Sequence, residues 1–243
     1  MRDGFGVFRS ARDLGKFGPM TDAATTPTPD SLRPRTRIQQ KNREAILDAA
    51  LGVFARDGFA GATLDRIAAE AGLSKPNLLY YFRSKEAMHH ALLADLLDLW
   101  LDPLRAIDPA GEPVAEILTY VRRKLGMSRN LPRESRLFAN EILQGAPRLQ
   151  GVLGGELAGL VEEKAAIVRG WSAAGRIAPV HPKHLFFSVW ALTQHYADFD
   201  AQVVAVLGPE ADRRWLDAER HLMQLFTALL TPAPGLFKQG GAG

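Results

Sequence analysis

The first third of the chain shows apolar positions that recur every three or four residues, the spacing that places side chains on one face of a helix. One such run predicts a first helix over about 36–56, which Gly58 stops. A second run covers 64–71 and ends at Gly72, and a third begins after Ser74. Because glycine enters the left-handed region without strain, Gly72 predicts a tight turn between two short helices.

The residues around this turn include the capping types that two short helices require. Thr63 and Ser74 are N-cap types, and Pro76 lies where a helix leaves a backbone N–H unpaired anyway. Lys75 and Asn77 then fall in the first turn of the second of these helices. The arrangement is typical of a helix-turn-helix, whose second helix enters a DNA major groove with its N-terminus leading. An ordinary helical hairpin with a solvated polar face is the alternative.

Beyond residue 84 the pattern predicts helices alone. Ser84 is the N-cap of a fourth helix over about 85–101, and no later run alternates with period two as a strand would. The remaining predicted helices cover 114–129, 133–144, 149–174, 183–206 and 210–231. The expected fold class is therefore all-α, with an N-terminal three-helix, helix-turn-helix domain at 35–84 and a second helical domain at 85–231.

The two ends of the chain lack this periodicity. Residues 1–34 are rich in Gly, Thr, Pro, Asp and Arg, which predicts a disordered extension in which Met20 is an alternative start. Residues 232–243 end in Gly-Gly-Ala-Gly and predict a flexible tail. The folded part is therefore expected between residues 35 and 231.

Composition narrows the function class. The chain has no cysteine, which excludes disulfides, thiol catalysis and cysteine zinc sites. No apolar run approaches the ~20 residues of a membrane span, and the N-terminus lacks a signal peptide, so a cytoplasmic location is expected. The net charge is +3, but residues 33–85 hold 10 Lys plus Arg against 5 Asp plus Glu. This basic excess coincides with the helix-turn-helix, as phosphate neutralisation requires, although a solvated basic face would look the same.

No pattern in the chain predicts catalysis or a cofactor. The His181/His184 and His89/His90 pairs lack the i, i+4 spacing with a nearby acid that a zinc protease helix needs. The sequence therefore predicts no catalytic residue, no metal site and no cofactor. His195 and Asp198, three residues apart, leave an acid–base pair in a helical enzyme as the rival interpretation.

The residues that flank the turn are more specific than the turn itself. Between Arg43 and Leu92 their order and spacing resemble the DNA-binding domain of the TetR family of transcriptional regulators. The matching residues are Ile46, Ala49, Ala50, Phe54, Gly58, Thr63, Ile67, Ala68, Gly72, Ser74, Tyr80, Phe82, Ser84, Lys85 and Glu86. Leu79 departs from the pattern, since many members carry tyrosine there.

The resemblance implies roles for the outer side of the helix-turn-helix. Lys75, Asn77 and Tyr80 are expected to read or position the operator, and Leu79 to touch a thymine methyl group. Helix N-termini and nearby side chains are expected on phosphates. The full set expected at the DNA is Thr63, Ser74, Lys75, Asn77, Leu79, Tyr80, Tyr81 and Lys85.

Later segments are similar to the pyrimidine-utilisation regulators within that family, over roughly residues 43–206. They include Trp100-Leu101-Asp102-Pro103-Leu104, Gly145-Ala146-Pro147 and Thr193-Gln194-His195-Tyr196-Ala197-Asp198-Phe199. The resemblance implies that the domain at 85–231 binds uracil and forms a homodimer. Effector binding is then expected to lower affinity for a pseudo-palindromic operator.

The uracil site is expected around three residues spaced four apart on one helical face, Trp190, Gln194 and Asp198. A glutamine amide offers the donors and the acceptor that match the edge of a cyclic imide, and a tryptophan offers flat apolar area. Trp100, Phe138 and Glu141 complete the expected set, with Lys124 and Arg136 on neighbouring helices. The alternatives are that the tryptophans are core residues and that Glu141 forms a salt bridge.

The last two predicted helices resemble the pair that forms the family's dimer interface. Leu222, Leu225, Phe226 and Leu229 make a broad apolar stripe on the final helix. Two helices from each subunit would form a four-helix bundle across a two-fold axis. The alternative is that the stripe only closes the core of one subunit.

Overall fold

The computed structural model describes residues 37–232, and every regular element in that range is a helix. The helices are α1 (Arg37–Gly61), α2 (Leu64–Glu70), α3 (Lys75–Tyr81), α4 (Lys85–Arg105), α5 (Pro113–Asn130), α6 (Pro132–Leu143), α7 (Gln150–Val152), α8 (Ala158–Ala173), α9 (Pro182–Asp198), α10 (Asp200–Leu207) and α11 (Arg214–Leu230). The all-α prediction is confirmed for this range. The predictions for 1–34 and for the tail beyond residue 232 lie outside the described residues.

Two predicted ends in the N-terminal part differ from the structure. Helix α1 continues past residue 56 to Gly61, although Gly58 interrupts it with φ 68°. Helix α4 runs to Arg105 and so includes Pro103, which had been expected in the following connection. A proline in the last turn removes one helical hydrogen bond, and Ala106 still closes the helix by donating its N–H to Asp102. No helix within 37–232 has both the length and the apolar character that crossing a bilayer requires.

One long predicted helix is broken in the structure, and another contains an irregular turn. The segment predicted at 183–206 divides at Phe199, whose φ of −113° and ψ of 29° end α9 before α10 begins. The segment predicted at 149–174 passes through a π-helical turn, Leu153–Leu157, which contains two glycines of low helix preference. A 3-10 turn, Gly208–Arg213, precedes α11 and shortens the helix predicted from residue 210.

Helix α4 belongs to both hydrophobic cores of the described chain. Met88, Leu93 and Trp100 on α4 pack into a first core with α1, α2 and α3. Leu104, near the end of the same helix, packs into a second core with α5, α8, α9 and α11. The first core also takes Leu137, Ala146 and Leu149 from the later part of the chain. The core under the helix-turn-helix therefore extends beyond the boundary expected at residue 84.

The loop between α6 and α7 ties the later helices to α1. Glu141 on α6 is buried, and its carboxylate accepts from the backbone N–H and the guanidinium of Arg148 at 2.8 and 2.9 Å. The Arg148 guanidinium lies 3.6 Å from the ring centroid of Phe59 on α1. Phe59 in turn meets the buried imidazole of His89 edge-on. Burial, and then the nearby Arg148 charge, lower the pKa of His89 to about 4, so this imidazole is neutral near pH 7.

Candidate DNA and effector sites

Side-chain caps fix the starts of the helices in the helix-turn-helix. The Thr63 hydroxyl accepts from the backbone N–H of Arg66 at 3.3 Å, and the Ser74 hydroxyl accepts from that of Asn77 at 3.4 Å. Gly72 makes the turn with φ 66°, and Leu73 donates its backbone N–H back to Ala68. The two caps satisfy N–H groups that a helix start leaves unpaired, and the Leu73 bond satisfies a carbonyl at the end of α2.

The outer side of α3 carries the exposed residues expected at the DNA. Asn77 is exposed, Leu79 is 36% exposed and Tyr80 is 68% exposed, whereas Leu78 is buried beneath them. Lys75 is exposed too, and its ammonium lies 2.9 Å from the carboxylate of Asp65. A surface ion pair of this kind contributes ~0–1 kcal/mol to stability, so Lys75 can readily leave Asp65 for another anion.

The two tyrosines of α3 contact the first turns of α1. The Tyr81 hydroxyl accepts from the side-chain amide of Asn42 at 2.9 Å, and the Tyr80 hydroxyl accepts from that of Gln39 at 3.4 Å. The two rings meet edge-on, 5.2 Å apart. These contacts place the start of α1, where Arg37 and Lys41 lie, beside the end of α3.

Lys85 contacts the end of α1 from the first turn of α4. Its partly buried ammonium donates to the backbone carbonyls of Phe59 and Ala62 at 2.8 and 3.0 Å. It also lies 4.4 Å from the ring centroid of Phe59. A cation at carbonyls that end a helix satisfies orphan acceptors and suits the helix dipole. In this structure Lys85 therefore joins α1 to α4, and its expected contact with DNA stays a prediction.

Helices α5 and α9 pack against each other through two rows of residues spaced four apart. Tyr120, Lys124 and Ser128 form the row on α5, and all three are buried. Trp190, Gln194 and Asp198 form the row on α9, and each is partly buried. The Trp190 indole N–H donates to the Tyr120 hydroxyl at 2.6 Å, which fixes the first residues of the two rows together. Gln194 lies one turn further along, ~5.4 Å up the helix axis.

The amide of Gln194 has no hydrogen bond within the described residues. It lies between the Trp190 end of the row and Asp198, whose carboxylate acts electrostatically on Lys124. A half-buried amide without partners retains two donors and an acceptor for a ligand. This is the property expected of the residue that pairs with an imide edge.

Trp100 on α4 and Lys124 on α5 bring two further donors, and Lys124 is linked electrostatically to Asp198 of the α9 row. The Lys124 ammonium lies 4.7 Å from the ring centroid of Trp100, and both side chains are buried, at 2% and 6% exposure. Within residues 37–232 neither the ammonium nor the buried Trp100 indole N–H has a hydrogen-bond acceptor. Burial lowers the pKa of Lys124 to about 7, and the Asp198 carboxylate opposes that shift. Unpaired buried donors of this kind are rare in folded proteins and point to an acceptor supplied by a ligand.

Asp198 is held by the neighbouring helix and not by His195. Its carboxylate accepts the hydroxyl of buried Ser135 on α6 at 2.6 Å. Burial raises the pKa of this carboxyl, and the Ser135 hydrogen bond and the Arg136 charge oppose the rise. The His195 ring instead stacks on Phe199 at 5.0 Å, and no hydrogen bond or ion pair joins it to Asp198 in the described structure. The acid–base pair of the rival enzyme interpretation is therefore not assembled.

Glu141 and Phe138 lie toward the first core. The Glu141 carboxylate is committed to Arg148, which corrects its expected role as an acceptor for a ring N–H and matches the salt-bridge alternative. Phe138 is partly buried against the same core that holds Trp100. Of the six residues expected at the effector, Trp100, Trp190, Gln194 and Asp198 thus surround the meeting of α4, α5 and α9.

Two protein families match adjacent parts of the chain. Residues 46–92 match "Bacterial regulatory proteins, tetR family", and residues 93–233 match "YcdC-like protein, C-terminal region". The chain belongs to the TetR family. It is 51% identical to the HTH-type transcriptional regulator RutR of Escherichia coli K12 over 174 residues, which are 72% of this chain and 82% of RutR. The HTH-type transcriptional repressor SCO4008 of Streptomyces coelicolor is 30% identical over 113 residues, 41% of this chain and 58% of its own.

Solved structures show the same TetR fold. The putative transcriptional regulator SCO4942 from Streptomyces coelicolor superposes with a TM-score of 0.58 at 25% identity, over 79% of this chain and 99% of that one. AibR in complex with isovaleryl coenzyme A and operator DNA gives 0.52 at 21% identity, over 64% and 85% of the two chains, and supports the fold alone. The chain is therefore a TetR-type DNA-binding transcriptional regulator, and its relatives are regulators and not enzymes.

The apolar stripe of α11 divides into a buried and an exposed half. Leu222 and Phe226 are each 1% exposed and belong to the second core, which corrects their expected place in the dimer interface. Leu225 and Leu229 are 40% and 45% exposed on the other side of the helix. In the TetR fold these two leucines, together with exposed Leu192 on α9, remain available to a second subunit.

Tyr120 and Ser135 were not expected at the effector site from the sequence, and Lys124 was named only as a residue of a neighbouring helix. A lysine and a tyrosine four apart inside the apolar face of α5 were the available signal, since a charged residue at a core-facing position requires a reason.

A separate cleft of ~120 Å³ lies between the ends of α5 and α9 and the start of α11. It is lined by Arg129, Pro132, Arg136, Tyr196, Ala197, Asp200, Arg214 and Trp215. None of the residues at the meeting of α4, α5 and α9 lines it, so it is a different feature.

Proposed function

We propose that this TetR-type regulator controls genes of pyrimidine utilisation, and that uracil or a close pyrimidine bound between α4, α5 and α9 lowers its affinity for DNA. The observation that carries the proposal is the set of unpaired polar groups on Gln194, Trp100 and Lys124. The resemblance of the surrounding segments to pyrimidine-utilisation regulators, and the 51% identity to RutR, support it.

The chemistry of uracil complements that set. Its ring presents two carbonyl oxygens and two N–H groups in one plane, with an apolar face on either side. The indole N–H of Trp100 and the ammonium of Lys124 are donors for the oxygens, and the Gln194 amide offers both a donor and an acceptor. Trp190 has its own N–H paired with Tyr120, so its remaining contribution to a ligand is its flat apolar surface.

At the DNA we propose that α3 enters the major groove. Asn77, Lys75 and Tyr80 read or position the operator, Leu79 packs on base methyl groups, and the start of α2 at Thr63 approaches a phosphate. Their exposure on one side of α3 supports this assignment. A regulator of this kind acts in the cytoplasm. It would act as a homodimer on a pseudo-palindromic operator with half-sites about 34 Å apart, through the exposed leucines of α11.

Calorimetry with uracil, followed by operator binding at increasing uracil, tests the proposal. We expect one uracil per subunit and a loss of operator affinity of order 1–3 kcal/mol in coupling free energy. Thymine, cytosine and an apolar planar molecule such as indole serve as the comparison ligands. Binding of indole but not of uracil would replace the pyrimidine by another planar effector. No response to any of the four would remove the proposed site.

A further inference from the structure

We propose that Lys124 binds a carbonyl oxygen of the effector through its ammonium, so that effector binding is coupled to protonation of this lysine. The inference rests on the proposed function, since it takes the ligand to be an uncharged pyrimidine with carbonyl oxygens. It adds a residue that selects the ligand and makes the response depend on pH.

The first step is the isolation of the charge. Lys124 is 2% exposed, and its ammonium has no hydrogen bond or ion pair within residues 37–232. The face of Trp100 lies next to it, with the ring centroid 4.7 Å from the ammonium. A cation–π contact offsets only part of the cost of removing an ammonium from water. The remaining donors of the ammonium are therefore unsatisfied until an acceptor arrives.

The second step is the comparison with the other buried lysine of the described chain. Lys164 on α8 is 6% exposed, but its ammonium donates to the backbone carbonyl of Ile107 at 3.3 Å and pairs with Glu163 at 3.0 Å. Burial is thus compatible with a satisfied lysine in this fold. The two lysines are similarly buried, but the Lys164 ammonium has acceptors and, among the described residues, the Lys124 ammonium has none.

The third step concerns the groups that surround Lys124. Asp198 on α9 acts on it electrostatically, without an ion pair, and the Asp198 carboxylate accepts the Ser135 hydroxyl. Arg136 on α6 and His195 on α9 act on Asp198 in turn. On α4 the facing group is the Trp100 indole. A carbonyl oxygen that reaches the Lys124 ammonium would supply the acceptor that it lacks within the described part of the chain.

The consequence for pH follows from the protonation state. In the free protein burial holds the pKa of Lys124 at about 7, so the ammonium is mostly present below pH 7 and mostly absent above it. An oxygen acceptor favours the charged form and raises this pKa in the complex. Binding above pH 7 must then take up a proton, whereas binding below pH 7 needs none.

Calorimetry of uracil binding at about pH 6 and about pH 8, in two buffers of different ionisation enthalpy, measures that proton directly. We expect uptake near zero at the lower pH and approaching one proton at the higher pH, with affinity about tenfold weaker there. Lys124→Met is expected to bind uracil at least about tenfold more weakly and without proton uptake. Lys164→Met is the matched control and should keep both the affinity and the uptake.

The possible outcomes separate this inference from the proposed function. Wild-type binding of uracil with no proton uptake at the higher pH would overturn the role of Lys124 alone, and this test needs no variant to fold. A folded Lys124→Met protein that binds uracil with wild-type affinity would also overturn the role of Lys124. His195→Gln and Asp198→Asn test the other titratable groups near Lys124. Proton uptake that is lost in either of these variants but persists in Lys124→Met would contradict the assignment. If wild-type protein binds no uracil at all, the proposed function fails and this inference with it.

Discussion

The guanidinium of Arg148 lies 3.6 Å from the ring centroid of Phe59, and so joins the loop after α6 to the end of α1. The Arg148 guanidinium also donates to the buried Glu141 carboxylate, which holds it in position. Lys85 and His89 of α4 also contact the Phe59 ring. A change in the packing of α4 would therefore reach the contact between α1 and α4, beneath the helix-turn-helix.

Removal of Arg148 should destabilise the protein. Arg148→Ala leaves the Glu141 carboxylate buried without its cation, and breaking such a pair costs roughly 3–5 kcal/mol. Urea unfolding followed by circular dichroism measures the change. The double variant Glu141→Gln/Arg148→Ala should recover part of the loss, because the uncompensated charge is gone. Equal stability of the two variants would show that the pair is not what holds the loop.

Lys85→Met should lower stability without changing the electrostatics of DNA binding. The ammonium is bonded to the carbonyls of Phe59 and Ala62, and the loss of such bonds costs about 1–3 kcal/mol. The slope of log affinity against log salt should stay as in the wild type. A slope reduced by about one would instead restore Lys85 as a phosphate contact. Lys75→Met, at an exposed lysine of the same domain, is the control for stability.

Asn77→Ala should relax operator preference at particular base pairs. An asparagine in the first turn of α3 can pair bidentately with adenine, a discrimination of ~1–3 kcal/mol. Binding to a library of operators with single base changes, at fixed salt, identifies the affected positions. Asn130→Ala, an exposed asparagine at the end of α5, serves as the control. A uniform loss of affinity over the whole library would mean that Asn77 positions the helix and does not read bases.

Two adjacent residues of α11 should separate dimerisation from folding. Leu225 is 40% exposed and Phe226 is 1% exposed. Leu225→Glu is expected to give a folded monomer in sedimentation, because a charge in an apolar interface is costly. Phe226→Glu is expected to unfold the subunit, since it buries that charge in the second core. A stable dimer of Leu225→Glu would place the interface elsewhere.

Gln194→Leu should weaken uracil binding at least about tenfold, or ~1.4 kcal/mol, while effector-free protein still binds operator DNA. Leucine is close to glutamine in size but leaves the imide edge unpaired, which costs ~1–3 kcal/mol for each polar group. Calorimetry provides the affinity. 1-methyluracil and 3-methyluracil, each blocked at one N–H, should bind the wild type unequally and show which edge faces the protein. Wild-type affinity in Gln194→Leu would remove this residue from the site.

The helix-turn-helix could be predicted in detail because its signals are local. Thr63, Gly72 and Ser74 act within a few residues of their own positions, and the caps and the turn are as expected. The pairing of Lys85 could not be predicted, since the carbonyls of Phe59 and Ala62 become its partners only when α1 and α4 pack together. A salt bridge of Glu141 was among the alternatives, but its partner Arg148 is set by the fold of the loop after α6.

Lys124 illustrates the same limit at the effector site. Its place inside the apolar face of α5 was visible in the sequence, but its isolation was not. Only the packing of α4, α5 and α9 shows that Asp198 is committed to Ser135 and that Trp100 covers the ammonium. The predicted helix likewise breaks at Phe199, where the sequence contains no glycine or proline that would predict a break.

The shared core around α4 limits how this regulator can be re-engineered. A chimera that exchanges the DNA-reading head at residue 92 would cut between Met88 and Leu93, within one continuous packed surface. The exchanged head would also lose Leu137, Ala146 and Leu149, which close its underside from the effector domain. Head and effector domain are thus not interchangeable modules. A graft with new operator specificity should confine its changes to the exposed positions of α3 and keep the supporting residues of both halves.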